Sequence, residues 1–416
     1  MIDYKDILSS LPKMLSGEEL ASAMAILPDY DSNIRTENQA IRLIELQELY
    51  RIYVPSKMSI EIYSKLYLAM LRSLQKKATK IAVRQQYENH KAIQCQDYEG
   101  LIGGSDSFTI IGASGIGKTS TISRAVSLIS DNYIIEIEKP YVKIIPCVVV
   151  QCPYDASVKQ MLLEILRKVD EILGSDYYNN AIRARATVDM LIGSVSQVSL
   201  NHIGLLVVDE IQNLVSSKQG RNLIGALTQL INNSGISICM VGMPECMPFF
   251  ESAMHLARRS LGLQYNPLEY GKEFQGICEI LYTYQYVQHS SILTEEVMYW
   301  LYEHSAGIIS IVVSLIHDAQ EISILTGSEV LNLNTLNEAY QKRLSLMHEY
   351  LEPTITRKPQ SSKAKKATAA SKTTAADSEI SKECISISDL VQKAKSENED
   401  IVQILRGYYT VEEVAL

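Results

Sequence analysis

The chain has 416 residues, 46% of them hydrophobic and 21% charged, with a formal net charge of −9. That is enough apolar material for two or three packed domains, and it excludes both a disordered chain and a nonspecific polycation. The seven cysteines are scattered without a C-x-x-C pair, no basic n-region and apolar h-region open the chain, and the longest apolar run, "GIISIVVSLI" from 307, is too short for a bilayer. A reduced, cytoplasmic protein without a membrane segment is therefore expected.

Residues 1–95 read as a helical N-terminal region, with a turn at "ILPDYDSN" and a break at Pro55. Beyond Pro55, Arg72, Lys76, Lys80 and Arg84 recur every four residues, with Leu66, Met70, Leu74, Ala78 and Ile81 on the apolar side. Like charges at that spacing repel by a few tenths of a kcal/mol per pair, a cost that an anionic partner such as a DNA backbone would reverse. An ordinary solvated face accounts for the same pattern.

Residues 96–270 alternate strand and helix. The runs "SFTIIG", "VKIIPCVVVQC", "IGLLVVDE", "SICMVG" and "LGLQYNPLEY" are continuously apolar, which predicts a parallel sheet of five strands covered by helices on both faces. The first run ends in "GASGIGKTST", which fits G-x-x-x-x-G-K-[ST] between a strand and a helix. Its backbone N–H groups, from Gly112, Ala113, Ser114, Gly115, Ile116, Gly117 and on to Ser120, are placed to wrap a phosphate at a helix N-terminus. Lys118 should reach the β- and γ-phosphates of ATP, and the Thr119 hydroxyl should hold Mg²⁺. About ninety residues on, "LLVVDE" ends a buried strand in Asp209 and Glu210, expected to hold the metal and to polarise the attacking water, respectively. Arg258 and Arg259, in "MHLARRSLGL", are candidates for an arginine finger acting on a neighbouring subunit's nucleotide; a helix C-terminus that favours cations is the alternative.

Residues 271–350 return to amphipathic helix and read as a lid. Residues 351–383, rich in Lys, Ser, Thr and Ala, read as a flexible basic linker, and residues 384–416 as a tethered docking tail or a terminal helix. The whole reads as an α/β P-loop NTPase with a C-terminal helical lid and an N-terminal helical region.

"GASGIGKT", "GLLVVDEIQNL", "VGMPE", "ARRSLG" and "SAGIISIVVSL" resemble TnsC, the AAA+ regulator of heteromeric DDE transposons, and more distantly TniB, over roughly residues 95–345. The resemblance implies a P-loop fold of AAA+ type and a homo-oligomeric ATPase, ring or helical filament, that assembles on double-stranded DNA with ATP and Mg²⁺. Its partners would be a TnsD/TniQ-type target selector, a TnsB-like DDE transposase and a TnsA-like endonuclease, with hydrolysis driving disassembly and target immunity. By position, the N-terminal region would meet the selector and the tail the transposase. Lys159 resembles the position that tracks the DNA backbone, with Lys218 and Arg221 as secondary candidates; each is also readable as a solvated charge. Two departures, Met243 where relatives carry a hydroxyl after the fourth strand and Ser310 where many carry an arginine in the lid, imply turnover that is slow without partners. A helicase loader or origin-binding ATPase is the alternative within the same class, and a nucleotide-gated scaffold that never hydrolyses is the alternative outside it.

Overall fold

The structure, a computed structural model, describes residues 4–94, 99–103, 107–130, 134–138, 141–217, 219–247 and 261–344. Arg258, Arg259, Lys218, the linker and the tail lie outside the described residues.

The chain begins with helices α1 (Tyr4–Ser10), α2 (Gly17–Met24) and α3 (Gln39–Glu45), and a 3₁₀ turn at Leu46–Arg51. Ser56 follows Pro55 and starts α4 (Lys57–Lys77) with a reciprocal cap, its hydroxyl accepting from the Ser59 amide while the Ser59 hydroxyl accepts from the Ser56 amide. The cationic stretch is not one helix: α4 ends at Lys77 and α5 (Lys80–Ile93) restarts after Ala78 and Thr79. The inward face is thereby reset to Ala82, Gln85, Asn89 and Ala92, and Ile81, expected on the apolar side, is 50% exposed.

Strand β1 (Phe108–Gly112) leads into α6 (Lys118–Ser130), then come β2 (Ile135–Glu138), β3 (Tyr141–Gln151), α7 (Val158–Leu173), α8 (Tyr177–Arg183) and α9 (Val188–His202). After β4 (Ile203–Asp209) follow α10 (Asn213–Ser216), α11 (Gly220–Ser234), β5 (Ser237–Gly242) and β6 (Leu261–Tyr265). Among the described residues these strands form one sheet in the order β2-β3-β4-β5-β1-β6. The five strands expected from the apolar runs pair in parallel; the sixth, β2, was not expected and lies antiparallel on β3, with Ile137 opposite Val142.

Alternate residues of the central strands enter opposite cores, as the pleat requires. Leu206, Val208, Ile238 and Met240 pack with α7, α9 and α11. Leu205, Val207, Cys239 and Val241 pack with α1, α2, α4 and α6. A third core is the lid, α12 (Lys272–Thr283), α13 (Glu295–Ser305), α14 (Ile309–Thr326) and α15 (Leu333–Ala339). Leu46 and Leu49, far away in sequence, are buried in it. Arg42, only 2% exposed, ties this early segment to the lid through two bonds to the Glu329 carboxylate (2.6 and 2.7 Å) and one to the Tyr286 carbonyl (3.0 Å).

The run from 307 proves longer than its sequence suggested. As α14 it is long and apolar enough, by length and composition, to cross a membrane. Its Val312, Leu315, Ile316 and Ala319 are buried in the lid core, and its Gln320 bonds the backbone of Tyr284 and Tyr286. Those contacts are what a core helix makes.

Candidate nucleotide-binding site

Gly112 ends a fully buried strand and Lys118 opens α6, so the five residues between them turn the chain back over a helix N-terminus. Gly115 and Gly117 have φ of +80° and +97°, a region that side chains with a Cβ rarely adopt. The amides of the first helical turn have no partner within the helix and attract anions. The Lys118 ammonium donates to the carbonyls of Gly112 (2.7 Å) and Ala113 (2.8 Å), which holds it in the concavity of the loop. Burial lowers its pKa; Asp209, Glu210 and Glu245 oppose that.

β4 carries its acids to the same place. The Thr119 hydroxyl donates to Asp209 Oδ2 (3.0 Å), while Asp209 Oδ1 accepts from the Glu210 amide (2.8 Å), so both oxygens of this buried carboxylate are oriented. Glu210 has φ of +59°, which turns it sharply off the strand end. Its Oε2 accepts from the side-chain Nε2 of Gln212. A hydroxyl and a carboxylate 3.0 Å apart beside a phosphate loop are the oxygen donors a hard divalent cation takes, so the residues fit Mg²⁺.

These groups line a hollow of about 200 Å³ with Gly242 and Met243, and it shares Gly115, Gly117, Ser120 and Ser310 with a neighbouring cavity of about 460 Å³. The larger cavity is mostly apolar. Tyr50, Ile52, Tyr53 and Val54 form one wall, Tyr265 and Asn266 at the end of β6 another, and Ile277, Leu281 and Val313 of the lid a third. Its size and lining suit a nucleoside whose phosphates extend into the smaller hollow. Of this second cavity the sequence indicated only the phosphate-loop edge, Gly115, Ile116, Gly117 and Ser120, and the presence of a lid; the walls from Tyr50 to Val54 and at Tyr265 and Asn266 were not anticipated. The Tyr53 hydroxyl pins the first wall by bonding both Ser59 (2.7 Å) and Thr121 (2.8 Å). Ser310, in the slot expected to carry an arginine, donates its amide to the Gly115 carbonyl (3.2 Å), so the N-terminal end of α14 rests on the phosphate loop itself.

The candidate DNA contacts are not gathered on one face. Arg72 and Lys76 lie on α4, in the layer on one side of the sheet, whereas Lys159 on α7 and Arg221 on α11 lie in the layer on the other. Arg72, Lys80, Arg84, Lys159 and Arg221 are exposed and Lys76 is partly so.

Compared with known proteins, residues 103–250 match a family model described as an AAA domain. A search of curated proteins returned no match. Among solved structures, the chain is similar to the Aeropyrum pernix ORC1 protein in complex with DNA (16% identity, TM-score 0.41, 62% of this chain and 63% of that one). It is also similar to Drosophila ORC bound to DNA (13%, 0.42, 79% and 69%) and to domain III of the Thermotoga maritima replication initiation protein DnaA (13%, 0.33, 66% and 95%). The chain thus spans a little under two thirds of the Aeropyrum pernix protein. Residues 103–250 are thus similar to an AAA domain, and the fold built around them is the mixed α/β P-loop fold of AAA+ type.

Proposed function

We propose that this protein is an ATPase that regulates DNA transposition, assembling on double-stranded DNA when it holds ATP and Mg²⁺ and leaving it on hydrolysis. The observation that carries the ATPase reading is the convergence of Lys118, Thr119, Asp209 and Glu210 on one hollow that opens into a nucleoside-sized cavity beneath the lid. Bound Mg²⁺ would supply charge neutralisation on the phosphoryl oxygens. Thr119 and Asp209 would hold the metal, Lys118 would exchange its loop carbonyls for phosphate oxygens, and Glu210 would take a proton from water.

The transposition reading is supported by "DEIQNL", "GMPE" and "ARRSLG" in the order of a TnsC-like regulator. Under it, copies of the chain meet a target selector and a DDE transposase with its endonuclease partner, in the cytoplasm of a bacterium. Contacts to DNA would be made to phosphates, by Lys159 first and then Lys218 and Arg221, and affinity would fall steeply with salt. Arg258 or Arg259 would complete a neighbour's site.

Glu210→Gln tests both halves. Hydrolysis should drop by about 10²- to 10⁴-fold while ATP still binds, and the variant should stay on duplex DNA after the wild type has left. ATP turnover unchanged in that variant would overturn the assignment of the base. Release from DNA at the wild-type rate would overturn the coupling of hydrolysis to disassembly, and a wild type that fails to support insertion with transposase and selector present would overturn the transposition reading.

A further inference from the structure

Gln212 stands two residues beyond Glu210, just before α10, on the wall of the phosphate hollow. Its two amide atoms differ sharply. The nitrogen donates to Glu210 Oε2; the oxygen is buried and has no hydrogen-bond partner among the described residues. A buried acceptor left unpaired is costly, so an orphan at a reaction site calls for a ligand. A Cβ at Gly242 would stand 3.4 Å from that oxygen, an ordinary contact distance, so the end of β5 lies directly against this amide. Met243, on the same wall, offers only a thioether, a weak acceptor.

Resting on the ATPase reading, we propose that Gln212 is a further catalytic residue: its nitrogen fixes the Glu210 carboxylate and its oxygen accepts a hydrogen bond from the attacking water. Water so held donates one hydrogen to each residue, which aims its oxygen lone pair at the γ-phosphorus. As the new P–O bond forms, the bond from the γ-phosphorus to the bridging oxygen breaks and its electron pair leaves with ADP. Glu210 takes one proton and releases it to solvent; the other stays on the product phosphate.

The test compares the full-length wild type with Gln212→Leu, Glu210→Gln and the double variant, measuring steady-state ATP hydrolysis on duplex DNA, equilibrium affinity for a fluorescent ATP analogue, and Tm. Gln212→Leu should lower kcat by about 10- to 100-fold, leave the analogue's Kd within about twofold, and add little to Glu210→Gln, because both residues act on one water. A kcat equal to or above the wild type would overturn the proposal, since the amide would then merely restrain Glu210. Parallel losses of analogue affinity and Tm would also overturn it, as a structural role. A wild type that binds ATP and never hydrolyses it brings down the ATPase reading itself, whereas wild-type turnover with an indifferent Gln212→Leu brings down this inference alone.

Discussion

Lys118 donates to two carbonyls of its own loop, an arrangement that keeps the cation ready for phosphate oxygens while burial disfavours its charge. Lys118→Ala should therefore weaken binding of ATP by about 10- to 100-fold, measured by equilibrium titration, without unfolding the domain. A second lysine makes a different prediction. Lys77 is partly exposed, but its ammonium bonds the carbonyls of Ser199 (2.7 Å) and Ile203, and desolvation pulls its pKa down from 10.5 to about 7. Between those values the unfolded chain binds more protons than the folded one at this site, so its contribution to stability rises with pH. The stability difference between wild type and Lys77→Met, from urea denaturation, should shift in favour of the wild type between pH 7 and 9. At this scale the phosphate loop and the acid pair were legible, because each is a contiguous motif on one strand end. Lys77 was not: its acceptors are the last turn of α9 and the start of β4, more than 120 residues away.

Among elements, the segment from α3 to Val54 does two jobs. It inserts Leu46 and Leu49 into the lid core and then walls the nucleoside cavity with Ile52 and Tyr53. Arg42 anchors it. With Arg42 2% and Glu329 13% exposed, removing one partner leaves a nearly buried charge, so Arg42→Met should destabilise the lid by about 3–5 kcal/mol in thermal or chemical denaturation. Replacing both partners by apolar residues of similar volume should recover most of the loss. The Arg42 bonds hold the Glu329 pKa below its ordinary 4.5. Their stabilisation is complete above that ordinary value and is lost as the pH falls through the lower folded one, and lid unfolding followed by near-ultraviolet circular dichroism should show an acid transition that Glu329→Gln removes.

Periodicity revealed the five parallel strands and the lid helices, where apolar residues recur along long stretches. It missed β2, a four-residue edge whose alternation "IEIE" is too brief to weigh, and it ran α4 into α5 because nothing in "KKATKIA" breaks a helix strongly. The nucleoside cavity was invisible for another reason. Its walls come from four stretches, around 50–61, 115–121, 265–281 and 307–314, that no local pattern joins.

For the molecule as a whole, the cleft lies between the sheet layer and the lid, with Ser310 bonded to Gly115 across it. A ligand that fills both hollows contacts each side and binds only the folded form. Saturating ATP with Mg²⁺, at a hundred times Kd, should add about 2.7 kcal/mol of stability and raise the Tm. Lys118→Ala should show a much smaller rise at the same concentration, by differential scanning fluorimetry. If the wild type gains nothing, the cleft is not a nucleotide site.

The Arg42–Glu329 bond also joins positions 287 residues apart. On a ribosome, the early segment emerges long before α12 to α15 exist, so Leu46 and Leu49 must wait exposed through the making of the entire central domain. Among the described residues the lid is thus the last region able to close, and it can close only around residues translated long before it. Maturation of the nucleoside cavity is accordingly a late event in biosynthesis, and chaperone dependence should concentrate in that interval.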